Sequence, residues 1–511
     1  MKKLSKILLI GPPWRMTKTS LDYLTAPTLN GLGYIAAILE KNNYNVKIFD
    51  ALTEGFNHRE KSTDGKIFRI GLPNSEIINF IKEHQPDIVG ISNPFTSQAY
   101  NMFGMARLVK EINSGIPVVV GGVHPSSDPN QCINDKNIDF VIVGEGEYAL
   151  LNLIKALENN SNLDSINGLF YKNEGKIFSG GMPKFIENLD EIPFPAYHLL
   201  PIKKYLEISK SDSSNRNFNG EGYLPIISSR GCPFSCIFCG AHLLVGKKWR
   251  FRSPKNFVDE IEFLQKNYKV NNFTFEDSNF SFDQSRAEQI CDEIIKRNLN
   301  INWSLPNGIR ADKVTNDLIA KMKKSGCKAI NIGIEHGNQD YLNKFVKKNL
   351  NLENVEKAVE TITKYKIPVS GFFIMGYPNE TKKLMEDTIS FALKLARKGM
   401  MPLFMITIPL PGTELIEYCK KNNLFIKENL SSTDYLLSSH SKPTVITQVP
   451  PETVLKLRRK ARILSMLNMM IFSPDAFFRY PFVKETLRSF TRPSFFINRF
   501  KLLLTKLNIG T

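Results

Sequence analysis

Cys232, Cys236 and Cys239 lie in one short run, Ser229-Arg230-Gly231-Cys232-Pro233-Phe234-Ser235-Cys236-Ile237-Phe238-Cys239-Gly240, with the spacing C-x3-C-x2-C. Thiolates hold iron–sulfur clusters, and a cubane [4Fe–4S] centre normally takes four of them. Three thiolates from one loop ligate three irons and leave the fourth open to a second ligand. Zinc is the competing reading, because zinc favours paired Cys or Cys/His spacings and His242 could supply a fourth ligand. Unligated core thiols are the third. Cys132, Cys291, Cys327 and Cys419 are scattered among apolar residues and read as buried thiols, not as a disulfide framework.

The cysteine run resembles the signature of radical S-adenosylmethionine (SAM) enzymes, whose open iron binds SAM. The resemblance implies metal ligation by Cys232, Cys236 and Cys239, with Phe238 beside the adenine. Further segments carry it onward. Gly333-Ile334-Glu335-His336-Gly337 is similar to the family's SAM-contacting strand end, which implies Glu335 on the ribose. His336 stands where many relatives have Ser and reads first as structural. Residues 371–381 and 409–415 resemble the next strand ends, and Trp249-Arg250-Phe251-Arg252-Ser253 matches the cobalamin-linked subgroup. Arg310 and Asp277 fall at the same mouth, either to hold the SAM carboxylate or substrate, or as plain salt-bridged barrel residues.

These residues need a scaffold. Residues 224–422 alternate short apolar strands with amphipathic helices, and six parallel strands with outer helices make an incomplete (β/α)6 barrel. Barrel chemistry collects at the C-terminal strand ends, where the motifs fall. Residues 6–150 show the same beat, with strands at 7–10, 45–49, 88–92, 118–120 and 140–143. Nearly uninterrupted apolar strands imply a parallel, doubly wound Rossmann-like sheet, with ligands beyond its carboxyl ends. Neither G-x-G-x-x-G nor a P-loop is present, so dinucleotides and NTPs are not favoured.

In order along the chain, the loops at those ends resemble a cobalamin-binding domain. The resemblance implies contacts from Gly11, Asp50, Ser92, Thr96, Gly121, Gly122, His124, Gly144, Glu145 and Gly146, the paired glycines admitting a large flat ligand. A ligand-free Rossmann-like domain is the alternative. Where such domains carry Asp-x-His-x-x-Gly, this chain has Asp50-Ala51-Leu52-Thr53-Glu54-Gly55, and leucine cannot coordinate cobalt. A lower axial nitrogen is therefore expected to be absent, with His124 as a weaker candidate for that role.

The expected organisation is a cobalamin domain (1–158), a linker (159–222), a radical SAM core (223–425) and a basic helical extension (426–511). The resemblance implies a cobalamin-dependent radical SAM enzyme with a [4Fe–4S] cluster, SAM and cobalamin. Its expected reaction is methylation of an unactivated carbon through a 5′-deoxyadenosyl radical and methylcobalamin. Oxidative cyclisation or rearrangement is the alternative, and a cobalamin sensor or carrier the non-enzymatic one. The partners expected are an external electron donor and a small-molecule or lipid-like, anionic substrate.

The net charge of +17 is uneven: residues 451–511 hold twelve Lys and Arg against three Asp and Glu. Such a tail reads as a helical cap with its charge in water, or as a basic amphipathic helix on an anionic membrane. Nucleic acid is least favoured. The first apolar stretch is only about four residues, short of the roughly 7–15 of a secretory signal, so a cytoplasmic location is expected, peripheral on the membrane if the tail binds one.

Overall fold

The structure is a computed structural model that describes residues 4–23, 26–211, 218, 220–427, 430–438 and 443–480. The strand β1 (Lys6–Gly11) has both faces buried: Ile7 and Leu9 join one core, Leu8 and Ile10 the other. It pairs in parallel with β2 (Asn45–Asp50) on one side and β3 (Ile88–Asn93) on the other. Beyond β3 follow β4 (Val118–Gly122) and β5 (Phe140–Ile142), again parallel. The chain thus steps outward from β1 to β2 and returns to β3. That reversal opens a crevice at the carboxyl ends of β1 and β3.

The stretch read as a linker is more structured than its composition suggests. A hairpin, β6 (Leu169–Asn173) and β7 (Lys176–Ser179), adds two antiparallel strands to β5. Its turn residues Glu174 and Gly175 both have positive φ, the conformation of a tight hairpin turn. Glutamate is a poor signal for that position, which hid the hairpin. A helix, Ile202–Ser211, follows and buries Tyr205 in the main core. A small antiparallel sheet of Trp14–Thr17, Ile67–Ile70 and Arg59–Lys61 was not expected either.

The second sheet has six parallel strands in sequential order: β8 (Leu224–Ile226), β9 (Asn272–Phe275), β10 (Asn302–Ile309), β11 (Cys327–Glu335), β12 (Val369–Met375) and β13 (Met400–Ile406). Helices including Pro254–Tyr268, Gln284–Lys296, Leu352–Lys364 and Lys382–Arg397 lie between them. The segment Pro193-Phe194-Pro195, within the expected linker, joins the two units. Ala196 N–H donates to Gly33 O (3.0 Å), and a Cβ on Gly33 would meet Pro195 at 2.9 Å.

After the barrel, the helix Ser432–Ser438 turns back to the first unit and packs on Trp14–Thr17 and on Thr96–Gln98. There Arg15 Nη1 donates to Thr433 Oγ1 (3.1 Å). The helix Pro451–Phe472 then lies on β13 and Lys382–Arg397, burying Val454, Ala461, Ser465 and Met469. Over these residues the tail is a barrel cap. Residues 481–511 of the basic extension lie outside the described residues, as do 212–217 and 219 of the expected linker. Among the described residues no helix is long and apolar enough to cross a membrane.

Tyr480 closes the cap: its hydroxyl accepts the amides of Val369 and Met401, each at 3.2 Å. Tyr480→Phe leaves both amides without that acceptor in a buried place, at a cost of about 1–3 kcal/mol. The expected result is a lower thermal midpoint with the iron content unchanged. An unaltered midpoint would show the cap to be held elsewhere.

Candidate active site

The cluster loop leaves a two-residue antiparallel pair in which Arg230 faces Arg250. Gly231 follows at φ +89°, where a Cβ would meet Lys248 O at 2.1 Å, so only glycine turns the chain here. The middle of the loop is fastened to two later barrel loops. Ile237 N–H donates to Val346 O (3.1 Å), and Leu415 N–H to Ile237 O (2.9 Å).

Cys232, Cys236 and Cys239 are partly exposed, whereas the four scattered cysteines are buried. Burial pushes all three thiols up, and Lys348 pulls each of them down, joined by Arg310 at Cys232 and Cys236. Cations beside the thiols favour the thiolate, the form that binds iron. Among the described residues no three His, Cys, Asp or Glu side chains are gathered to hold a single metal ion. His242 follows the loop on the short helix Ala241–Val245, its ring against the Cys239 backbone. A cubane distributes its thiolates over separate irons, and three free thiols on one loop beside two cations fit it.

Two strand irregularities aim the polar groups. A register shift within β10 precedes Arg310, and another within β11 precedes Glu335, whose φ is +72°. Glu335 Oε1 accepts from Lys348 Nζ at 2.9 Å. Burial opposes the charge on Lys348, yet Glu335 and Cys236 outweigh it and hold the ammonium above its usual range.

Arg310 is already engaged: it pairs with Asp312 (2.9 Å), donates to Lys348 O (3.1 Å) and Asn349 O (2.8 Å), and stacks 3.8 Å over Phe234. It braces the loop that carries Lys348. Asp277 accepts from Ser228 N (3.2 Å), Ser228 Oγ (2.7 Å) and Ser229 Oγ, so it fixes the end of β8 instead of facing the mouth. His336 is structural: Nδ1 accepts from Asn338 N–H, and Nε2 donates to Glu380 at 3.1 Å, both side chains being fully buried.

At the ends of the first sheet, most expected contacts face inward. Asp50 caps its short helix through Thr53 N–H (3.0 Å) and accepts from Tyr205 Oη (2.7 Å), while Leu52 packs in the core. Cβ atoms on Gly11, Gly144 and Gly146 would strike Leu29, Pro183 and Ile35, and one on Gly122 would meet Asn93 O at 2.4 Å. Those glycines permit close packing of the protein on itself. Gly121 alone of the set would find only an ordinary contact, Ile142 O at 3.7 Å. Thr96 is buried and Ser92 half-buried at the crevice, near exposed Phe95 and Tyr100. His124 Nε2 bonds Gln131 (2.8 Å), leaving Nδ1 buried without a partner, as is Thr28 Oγ1. Two orphaned polar atoms at this end fit a large polar ligand.

Glu145 departs most from expectation. It ion-pairs with Arg230 (3.1 Å) and Arg250 (2.9 Å), while Glu147 takes Arg230 at 2.7 Å. These carboxylates join the first unit to the cluster loop.

Residues 226–392 match the model of the radical SAM superfamily, and residues 26–154 that of the B12 binding domain. An uncharacterized methyltransferase of Pyrococcus horikoshii is 33% identical over 496 residues, covering 96% of this chain and 99% of the relative. The chain belongs to the cobalamin-binding radical SAM family.

The cytidylyl-2-hydroxyethylphosphonate methyltransferase of Streptomyces wedmorensis is 31% identical over 444 residues, with 82% of each chain covered. The methyltransferase TsrM of Kitasatospora setae, solved with cobalamin and a [4Fe–4S] cluster, shares the fold at a TM-score of 0.70 and 14% identity, covering 95% of this chain and 99% of that one. A [4Fe–4S] cluster and SAM are the cofactors of the barrel in this radical SAM enzyme, and cobalamin that of its first domain.

The two cofactor regions meet in the fold. The helix Val123–Ser127 packs on Ala241–Val245, which follows the cluster loop. At Gly412 (φ +73°) a Cβ would meet Leu243 at 2.6 Å and Ser127 O at 3.0 Å, so three loops interlock there. Sequence reasoning missed Lys348, Tyr377 and the Arg230 pairing. Lys348 belongs to no recognisable spacing, and Tyr377 lies inside a segment, 371–381, read only as a whole for its resemblance to a strand end and its turn.

Proposed function

We propose that this enzyme is a C-methyltransferase acting on an unactivated carbon of a small molecule. One observation carries the reading: the cysteine loop and the carboxyl ends of the first sheet are held together by Arg230, Glu145 and Glu147. A group on one can therefore hand a fragment to a substrate activated on the other. When bound, the cluster and SAM supply hydrogen-atom abstraction, and cobalamin supplies a transferable methyl group.

The chain's own part is placement. Cys232, Cys236 and Cys239 are proposed to hold the cluster, with Lys348 and Arg310 balancing its negative charge. Glu335 and Phe238 are proposed to line the SAM site. Gly121, Ser92, Thr96 and the unpaired side of His124 are proposed to face cobalamin. Leu52, packed in the core, offers no nitrogen to the lower face. The Ser432–Ser438 helix packs on Thr96–Gln98 and so covers part of the crevice rim.

Anaerobic protein reconstituted with iron, sulfide and hydroxocobalamin tests the proposal when supplied with reductant, candidate substrates and SAM carrying a labelled methyl group. Label in the product carbon is the expected result. Turnover with 5′-deoxyadenosine released and no label retained would replace methyl transfer by ring closure or rearrangement.

A further inference from the structure

Tyr377 follows β12 in a turn built around one carboxylate. Glu380 Oε2 accepts from Gly376 N–H (2.6 Å) and Tyr377 N–H (3.0 Å), and Oε1 takes His336 from the end of β11. The turn is therefore rigid, and it sets the tyrosine ring among Phe238 (6.4 Å between centroids), Tyr341 (6.1 Å) and Phe345 (6.0 Å). The side chain is fully buried, yet its hydroxyl has no hydrogen-bond partner.

That is unusual within this molecule. Tyr197 donates to Glu260, Tyr205 to Asp50, Tyr341 to Pro378 O and Tyr480 to Val369 O. Tyr377 Oη is the one tyrosine oxygen buried without a partner among the described residues. A buried hydroxyl normally finds a partner, so an orphan beside a ligand site marks a missing acceptor. Burial, then the charges of Glu335 and Glu380, with Cys236 also contributing, push its pKa well above the usual value. The group stays protonated and is available as a donor.

We infer that the Tyr377 hydroxyl donates a hydrogen bond to an oxygen of S-adenosylmethionine held between Cys236 and Glu335. The inference rests on the reading of the barrel as a SAM site. Phe238 and Tyr377 then form one wall, and Lys348 with Glu335 the polar floor. Tyr377 adds a neutral donor where the fixed charges already pair with one another.

Tyr377→Phe keeps the ring and removes only the orphan oxygen. The test compares reconstituted wild type and variant by equilibrium dialysis against SAM, and by the SAM-dependent shift of the reduced-cluster EPR signal. Iron content and the thermal midpoint without SAM are measured alongside. SAM affinity is expected to fall about 3- to 10-fold, the effect of one net hydrogen bond. The midpoint should stay equal or rise, because an unsatisfied buried group is deleted. Equal SAM affinity would overturn the inference and leave the SAM site standing. A drop in midpoint with the affinity loss would also overturn it, assigning the hydroxyl to packing. Wild type with a full cluster and no SAM binding would overturn the SAM-site reading along with it.

Discussion

Cys236→Ala is expected to abolish both iron incorporation and turnover while the protein stays folded. Two thiolates from one loop cannot hold a cubane that normally takes four ligands, three of them from this chain on our reading. The fold is expected to survive because the loop is anchored by backbone bonds at Ile237 on one flank and by the Gly231 turn on the other. Iron and sulfide analysis after anaerobic reconstitution checks it, with Cys291→Ala as the control. Cys291 is on the buried face of the barrel helix Gln284–Lys296, so that variant should take up a full cluster. A Cys236→Ala protein that still binds iron and yields product would remove the radical SAM assignment of this loop.

Arg230→Met should destabilise the protein by roughly 3–5 kcal/mol, the cost of stranding a buried charge. Glu145 and Glu147 have side chains only 4% and 5% exposed, and both pair with Arg230. Burial opposes the arginine's charge, but Glu147 and Glu145 outweigh it and hold the guanidinium above its usual range. Tyr34 lies beneath it, with the guanidinium carbon 5.1 Å from the ring centroid. Arg250 still serves Glu145, so Glu147 is the group left alone.

Chemical unfolding followed by tryptophan fluorescence should show an earlier transition, and bound cobalamin should be lost more easily. Adding Glu147→Gln to the variant should recover part of the loss, because the stranded charge is gone. Unfolding curves that superpose would mean that water reaches these carboxylates. The pairing would then be a contact without consequence.

Both predictions start from charged or nucleophilic residues, but only the first could be written from the amino-acid sequence. The cysteine spacing is local: three thiolates on one loop must lie near one another whatever surrounds them. The two sheets were also legible, because apolar runs of four to six residues between amphipathic helices leave few other parallel arrangements. The hairpin 169–179 was not, since its turn places glutamate where asparagine or glycine is the usual signal.

The partners of the polar side chains were decided by the tertiary structure. Asp50, Asp277 and Glu145 stand at strand ends and read as ligand contacts by position. In the fold they meet Tyr205, the two serines that follow β8, and Arg230 with Arg250. A carboxylate removed from water takes the nearest donor, and the nearest donor can lie a hundred residues away in the chain. Lys348 came to the cysteines, and Tyr377 to its unpartnered place, by the same packing. Spacing along the chain therefore determined which chemistry this protein can host. Long-range packing determined which side chains remain free to touch it.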